Sequence, residues 1–271
     1  MGIKTLFFIL FFILNLGASE RIISLSPSIT EILFALNKGD EMVATSSYSL
    51  YPKEAKKLPI IGGYQNPNIE KIISLRPTLV VGQTFNTNIL KKLNYFGIKT
   101  LTLNLQTLQD IKNSIKKLSK TLSTTTNHLI TNIDNAIITA KKSKTPHSVM
   151  IVYGLREDLR GNIYIAGHDI FFEDIIKLCG NTNAYTSNIT KQPVLGYENV
   201  IALNPDQIII LHSHATEKNV DINKALKAWK KIPTNASKNN HISIVDEDYL
   251  HIPSHRVALT IKILCKEMKI D

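Results

Sequence analysis

The sequence predicts an α/β protein of two lobes, and three observations carry that prediction. Short apolar runs alternate with amphipathic stretches, as in "RIISLSPSITEILFALNKGDEMVATSS". Strands alternating with helices imply parallel sheets with right-handed crossovers. One unit also occurs twice: "EKIISLRPTLVV" from Glu70 returns as "ENVIALNPDQIII" from Glu198, an offset of 128 residues in a chain of 271. Between them, from Thr107 to about Lys142, there is no Gly, no Pro and no strand-like run. The architecture expected is two Rossmann-like lobes with parallel sheets, joined by a long connecting helix, with a ligand cleft between the lobes. The boundaries are 1–18 for a signal peptide, 19–123 for the N-terminal lobe, 124–145 for the connecting helix and 146–271 for the C-terminal lobe.

The opening segment has one early positive charge, Lys4, an apolar run from Leu6 to Leu16 broken only by Asn15, and small residues at Gly17, Ala18 and Ser19. That is the layout of a secretory signal, cleaved after Ala18 or Ser19, and the run is short for a membrane span. Ile22, Ile23 and Leu25 then make a short strand. Ser26 to Ser28 start a helix in which Ile29, Ile32, Leu33 and Leu36 recur at helical spacing, and Met42 to Thr45 form the next strand. Glu70 to Leu75 is a short helix stopped by Pro77, followed by a strand over Leu79 to Val81. "NTNILKKLNYFGIKTLTLN" repeats the cycle with Gly97 as the helix stop. The central helical stretch divides near "STTTN", whose hydroxyls suit helix caps. "SVMIVYG" restarts the alternation. A helix near Asp169–Cys179, the second copy of the repeat, "HISIVDEDY" and a last helix from about His255 complete it.

The formal charge of +10 arises from 32 basic and 22 acidic residues. Most of the basic residues are lysines interleaved with Asn, Ser and Thr, with no dense block and no aromatic-interleaved arginine patch. This describes a solvated surface and argues against nucleic acid as a partner. Only two cysteines occur, Cys179 and Cys265. In an exported chain an isolated pair usually becomes a disulfide; two buried thiols are the alternative. No cysteine precedes Cys179, so none is available for a lipid anchor at a new N-terminus.

Three stretches, "SLSPSITEILFALN", "SSYSLYP" and "NPNIEKIISLRPTLVV", resemble the periplasmic substrate-binding proteins of the helical-backbone class, which serve ABC importers of vitamin B12, ferric siderophores and haem. The resemblance extends through "VMIVYG", "LCGN" and "DEDYLHIPSHR". "SSYSLYP" and the two cysteines are most similar to the vitamin B12-binding branch, which implies a disulfide between Cys179 and Cys265. The resemblance implies a monomeric, non-enzymatic protein with no cofactor of its own. It would capture a corrinoid or an iron chelate and pass it to an ABC permease dimer in the inner membrane. It also implies that Glu70 and Glu198, one per lobe, dock on that permease. Independently, Asn68 and Gly196 stand two residues before these acids, where a helix N-cap would lie, and an acid in a first turn is favoured by the helix dipole.

In open α/β sheets ligands bind beyond the carboxyl ends of the strands. The ligand-binding candidates are therefore Tyr48, Tyr64, Gln83, Tyr153, His212, Asp248, Tyr249 and His251, with Gln192 added from the resemblance. Tyr48, Tyr64 and Asp248 match aromatic and acidic cleft positions of the B12-binding branch. Gln83 and Gln192 stand where aromatics are expected, and the single tryptophan, Trp229, is expected in a helix away from the cleft loops. His212, His214 and His251 are weak metal-ligand candidates, open to iron or a bare transition metal. A metal-dependent enzyme using them with Asp248 is the competing class. No H-E-x-x-H, G-x-S-x-G or phosphate-loop pattern supports it. A stiff helical connector predicts small closure on binding.

Overall fold

The computed structural model describes residues 20–187, 191–213 and 220–270; the expected signal peptide lies outside them. The N-terminal lobe opens with β1 (Ile22–Ser24), α1 (Pro27–Ala35) and β2 (Met42–Ala44). Ser26 caps α1 by accepting from the Ile29 N–H, with Pro27 at the first helical position. Next come α2 (Ile69–Ser74), β3 (Leu79–Gln83), α3 (Thr87–Tyr95) and β4 (Thr100–Leu103). All four strands are parallel in the order β2-β1-β3-β4.

Two helices follow, α4 (Leu108–Thr121) and α5 (Asn127–Ile138). Thr107 and Asp110 cap α4 reciprocally, the side chain of each accepting from the other's N–H. The division expected at "STTTN" is there, but Thr126 makes no side-chain cap. Instead Ser123 takes a left-handed φ of 50° and the Ser119 hydroxyl donates to the Thr124 carbonyl. The helical part of the connector is thus the twelve residues of α5, shorter than the expected segment 124–145. Residues 139–147 leave the helix as the Lys-rich approach to Pro146, which disfavours helix before it.

The C-terminal lobe contains β5 (Ser148–Tyr153), β6 (Ile163–Tyr164), α6 (Phe171–Leu178), β7 (Thr182–Asn183), β8 (Val194–Leu195) and α7 (Tyr197–Leu203). It ends with β9 (Gln207–His212), α8 (Ile222–Lys230), α9 (Asn235–Lys238), β10 (Ile242–Asp246) and α10 (Val257–Glu267). Strands β7-β5-β9-β10 are parallel, while β6 and β8 form a separate antiparallel pair. Taking each lobe's sheet strands in chain order, both sheets read 2-1-3-4.

The sequence repeat is the middle of this shared topology. Leu79 and Gln207, which begin β3 and β9, are 128 residues apart. Arg76 and Asn204, each just before the proline, adopt left-handed φ of 47° and 44°. Proline disfavours the right-handed helical region for its predecessor, so a short helix ending there must turn out. One core cluster joins Ile22, Leu79 and Leu103 of the first sheet to Val149, Ile209 and Leu211 of the second, through α4, α5, α6 and α10. The lobes therefore share packed helices at the back. Among the described residues no helix is long and apolar enough to cross a membrane.

Candidate functional site

A sheet of order 2-1-3-4 reverses direction between its first and third strands, and ligands bind at the carboxyl edge of that switch point. In the N-terminal lobe this edge is Ser24–Ser26 and Gln83–Phe85. A buried hydroxyl ladder shapes it. Thr30 Oγ1 lies 2.6 Å from Thr45 Oγ1 and donates to Ser24 Oγ at 3.0 Å, and Thr45 Oγ1 donates to Ser49 Oγ at 2.8 Å. Each hydroxyl satisfies another away from water, which fixes the turn after β2. Tyr48 stands at the tip of that turn with a φ of 65° and is 69% exposed. A tyrosine held out in a sparsely populated conformation is the kind of strain found at ligand sites. Buried Asn86 accepts from the Gln83 N–H and donates to the Tyr64 carbonyl. It thereby ties Tyr64 beside Phe85, their rings edge to face at 5.7 Å.

Opposite, Tyr153 ends β5, with its ring edge-on to Phe172 at 5.6 Å and tilted against His251 at 5.6 Å. Its hydroxyl is paired with Gln192, so two separately chosen candidates act as one. Burial pushes the Tyr153 phenol above its ordinary value despite that bond, and burial with the charges of Glu247 and Asp248 raises Tyr249. Both shifts favour the neutral phenol. His212 is only 1% exposed at the end of β9, so it offers no open surface to a ligand. His214 lies outside the described residues. Among the described residues no group of three or more His, Cys, Asp or Glu is placed to hold a metal ion.

Sequence reasoning missed the floor of the site. Glu31 in α1 receives two bonds from Arg256, from Nε at 2.9 Å and from Nη2, and a third from Ser254 Oγ. Arg256 Nη1 also donates to Asp248 Oδ1 at 2.7 Å. The Tyr51 ring lies over the guanidinium at 3.9 Å and Tyr249 at 5.5 Å. The carboxyl edges of the two lobes therefore meet here. The only sequence signal was a glutamate at an inward position of an apolar helix, and its partner is 225 residues away. Trp229 lies in a helix, as expected, buried in α8.

Residues 22–249 match the model of the periplasmic binding protein family. The chain belongs to that family. It is 31% identical over 264 residues to the vitamin B12-binding protein of Vibrio vulnificus strain CMCP6, covering 95% of this chain and 94% of that protein. It is 30% identical over 256 residues to the protein of the same name from Vibrio parahaemolyticus, covering 92% and 90%. Among solved structures, the periplasmic haem-binding protein RhuT of Roseiflexus sp. RS-1 in apo form superposes with a TM-score of 0.75 at 26% identity. That match covers 92% of this chain and 97% of the other. A periplasmic binding protein with two α/β lobes and an inter-lobe edge is what the geometry describes.

The repeated acids fall on equivalent positions. Asn68 caps α2 by accepting from the Lys71 N–H, which puts Glu70 at the second helical position. Gly196 is the N-cap of α7, where Asn199 Oδ1 accepts from its N–H, and Glu198 is again second. A crossover helix runs antiparallel to the strand it feeds, so both helices begin toward the carboxyl edges of their sheets. Both glutamates are exposed, and among the described residues neither is in an ion pair.

His255, beside Arg256, makes the fold sensitive to acid. Burial, then the charges of Arg256 and His128, lower it from 6.5 to about 4. The unfolded chain takes up that proton first, so the stability concerned is present above pH 6.5 and is lost as the pH falls toward 4. It amounts to roughly 3 kcal/mol. Urea unfolding at pH 7, 5.5 and 4.5 should show a falling midpoint that H255Q flattens; parallel curves for the two proteins would assign the slope elsewhere.

Proposed function

We propose that this chain is the substrate-binding component of an ABC importer. In this reading it captures a corrinoid in the periplasm and delivers it, as a monomer and without catalysis, to a permease dimer in the inner membrane. Residues 1–18 serve as its export signal. The single observation that carries the reading is the near-complete coverage at 30–31% identity to proteins named for vitamin B12 binding. The chemistry of the edges supports it. Exposed rings of Tyr48, Tyr64 and Phe85 offer faces to a large, partly planar ligand, and half-exposed Asp248 offers an acceptor for amide donors. Tyr153 with Gln192, and Tyr249 with His251, supply the opposite wall, with His212 behind them.

A haem or ferric-siderophore ligand is the second reading, favoured by the likeness to RhuT. Equilibrium titration of the purified protein with cyanocobalamin, haemin and a ferric hydroxamate siderophore separates them. The corrinoid reading expects saturable cyanocobalamin binding, weakened about tenfold by Tyr48→Ala or by Asp248→Asn, the loss of one ring contact or one charged acceptor. Haemin binding with a new Soret band and no response to cyanocobalamin would replace it with the second. Stoichiometric zinc in protein that binds none of the three would reopen the metal-dependent class.

A further inference from the structure

The group that joins the lobes at the cleft edge is ionic, although a dry interface does not require charge. Glu31 and Arg256 are 3% and 7% exposed. A buried ion pair loses hydration that its own attraction only partly restores, so an apolar pair of the same volume would often hold the lobes as well. What such a pair adds is geometry. A guanidinium offers its donors in a fixed planar fork, so a bidentate carboxylate fixes its orientation as well as its distance.

All three guanidinium nitrogens of Arg256 and one of its faces are engaged. Nε and Nη2 hold Glu31 of the N-terminal lobe, and Nη1 holds Asp248 of the C-terminal lobe. One face carries Tyr51 from the N-terminal lobe, and Tyr249 lies further off. Ser254 closes the group by donating to Glu31 at 2.5 Å and accepting from the Arg256 N–H at 3.1 Å. Arg256 itself is nearly inaccessible, whereas Tyr51 and Asp248 are each more than two-fifths open. A buried side chain thus orients exposed ones on both sides of the cleft.

We propose that Arg256, clasped by Glu31, is a positioning residue that sets the spacing of the lobes and holds Tyr51 and Asp248 in binding geometry before the ligand arrives. The clasp lies at the carboxyl edge, at the N-terminal end of α10, so it ties the lobes there in addition to the core they share through α4, α5, α6 and α10. Binding then proceeds with little closure, and affinity depends on Arg256 without contact between Arg256 and ligand. If loss of the clasp leaves a fraction of molecules in the competent spacing, apparent affinity falls by that fraction.

The test separates this proposal from the identity of the ligand. Spin labels carried on non-cysteine side chains replace exposed Lys91 and Lys238, one on each lobe, so the native disulfide is untouched. The inter-lobe distance distribution is measured in the unliganded wild type, in R256K, which keeps the charge but loses the fork, and in E31Q, which keeps the shape but loses the charge. A single narrow distribution in the wild type that broadens in both variants is expected. Cyanocobalamin affinity should weaken about tenfold alongside it in R256K. Unchanged distributions in folded variants would overturn the proposal. So would lost affinity in R256K with an unchanged distribution, since that outcome makes Arg256 a direct ligand contact. If R256K does not fold, E31Q alone decides. If the wild type ignores cyanocobalamin, the corrinoid reading fails, while the distance measurement still decides the clasp.

Discussion

Reversing both repeat acids, Glu70→Lys with Glu198→Lys, is expected to abolish uptake of the ligand in cells while leaving affinity in solution within about twofold. The two acids are equivalent by construction. Each is the second residue of the helix that feeds the third strand of its sheet, and each precedes a left-handed residue and a proline. In the proposed reading, lobes of equal topology would present equal anions to a two-fold permease, whose symmetric patches would each receive one. Each reversal also places a cation near a helix N-terminus, at a cost of about 0.3–1 kcal/mol at an exposed site. That is too little to unfold the chain, and a melting curve run in parallel confirms it. Single reversals should give partial uptake. Loss of affinity in the double variant would return the acids to the cleft or the fold and remove them from docking.

The lobes, their strands and the repeat were legible because each is written locally. Apolar runs such as Ile208–Leu211 are buried on both faces, and Ser26, Asn68 and Thr107 cap the helices that follow them. The strand-end rule placed Tyr48, Tyr64, Tyr153 and Asp248 at the carboxyl edges. The rule says where a residue stands, and it is silent on what the residue touches. His212 satisfied it and proved buried, while Tyr153 and Gln192, 39 positions apart, proved to be partners. Glu31 and Arg256 were missed for the same reason, taken further. A buried carboxylate looks like any other helical acid until the chain brings its arginine from the far end. The β6–β8 pair was missed because two-residue strands carry no period.

Removing the disulfide, with Cys179→Ala and Cys265→Ala together, is expected to lower stability by about 4–5 kcal/mol and the melting temperature by about 10 °C or more. The bridge spans 86 residues, and chain-entropy reasoning makes the restraint on the unfolded state grow with that length. The sequence placed it within the C-terminal half, and it joins the end of α6 to the last turn of α10. Its position gives it reach beyond that lobe, because α10 packs on α5 of the connector and begins at Arg256. An α10 released at its far end still has Ala258, Ile261 and Leu264 in the core. The folded variant should therefore keep its clasp, and ligand affinity should change far less than stability. Melting curves and titrations on the same samples check both halves of that statement. A variant that melts within 2 °C of the wild type, against the shift of about 10 °C expected from the loop, would mean that packing alone holds α6 and α10. Affinity falling in step with stability would mean that the far end of α10 controls the position of Arg256.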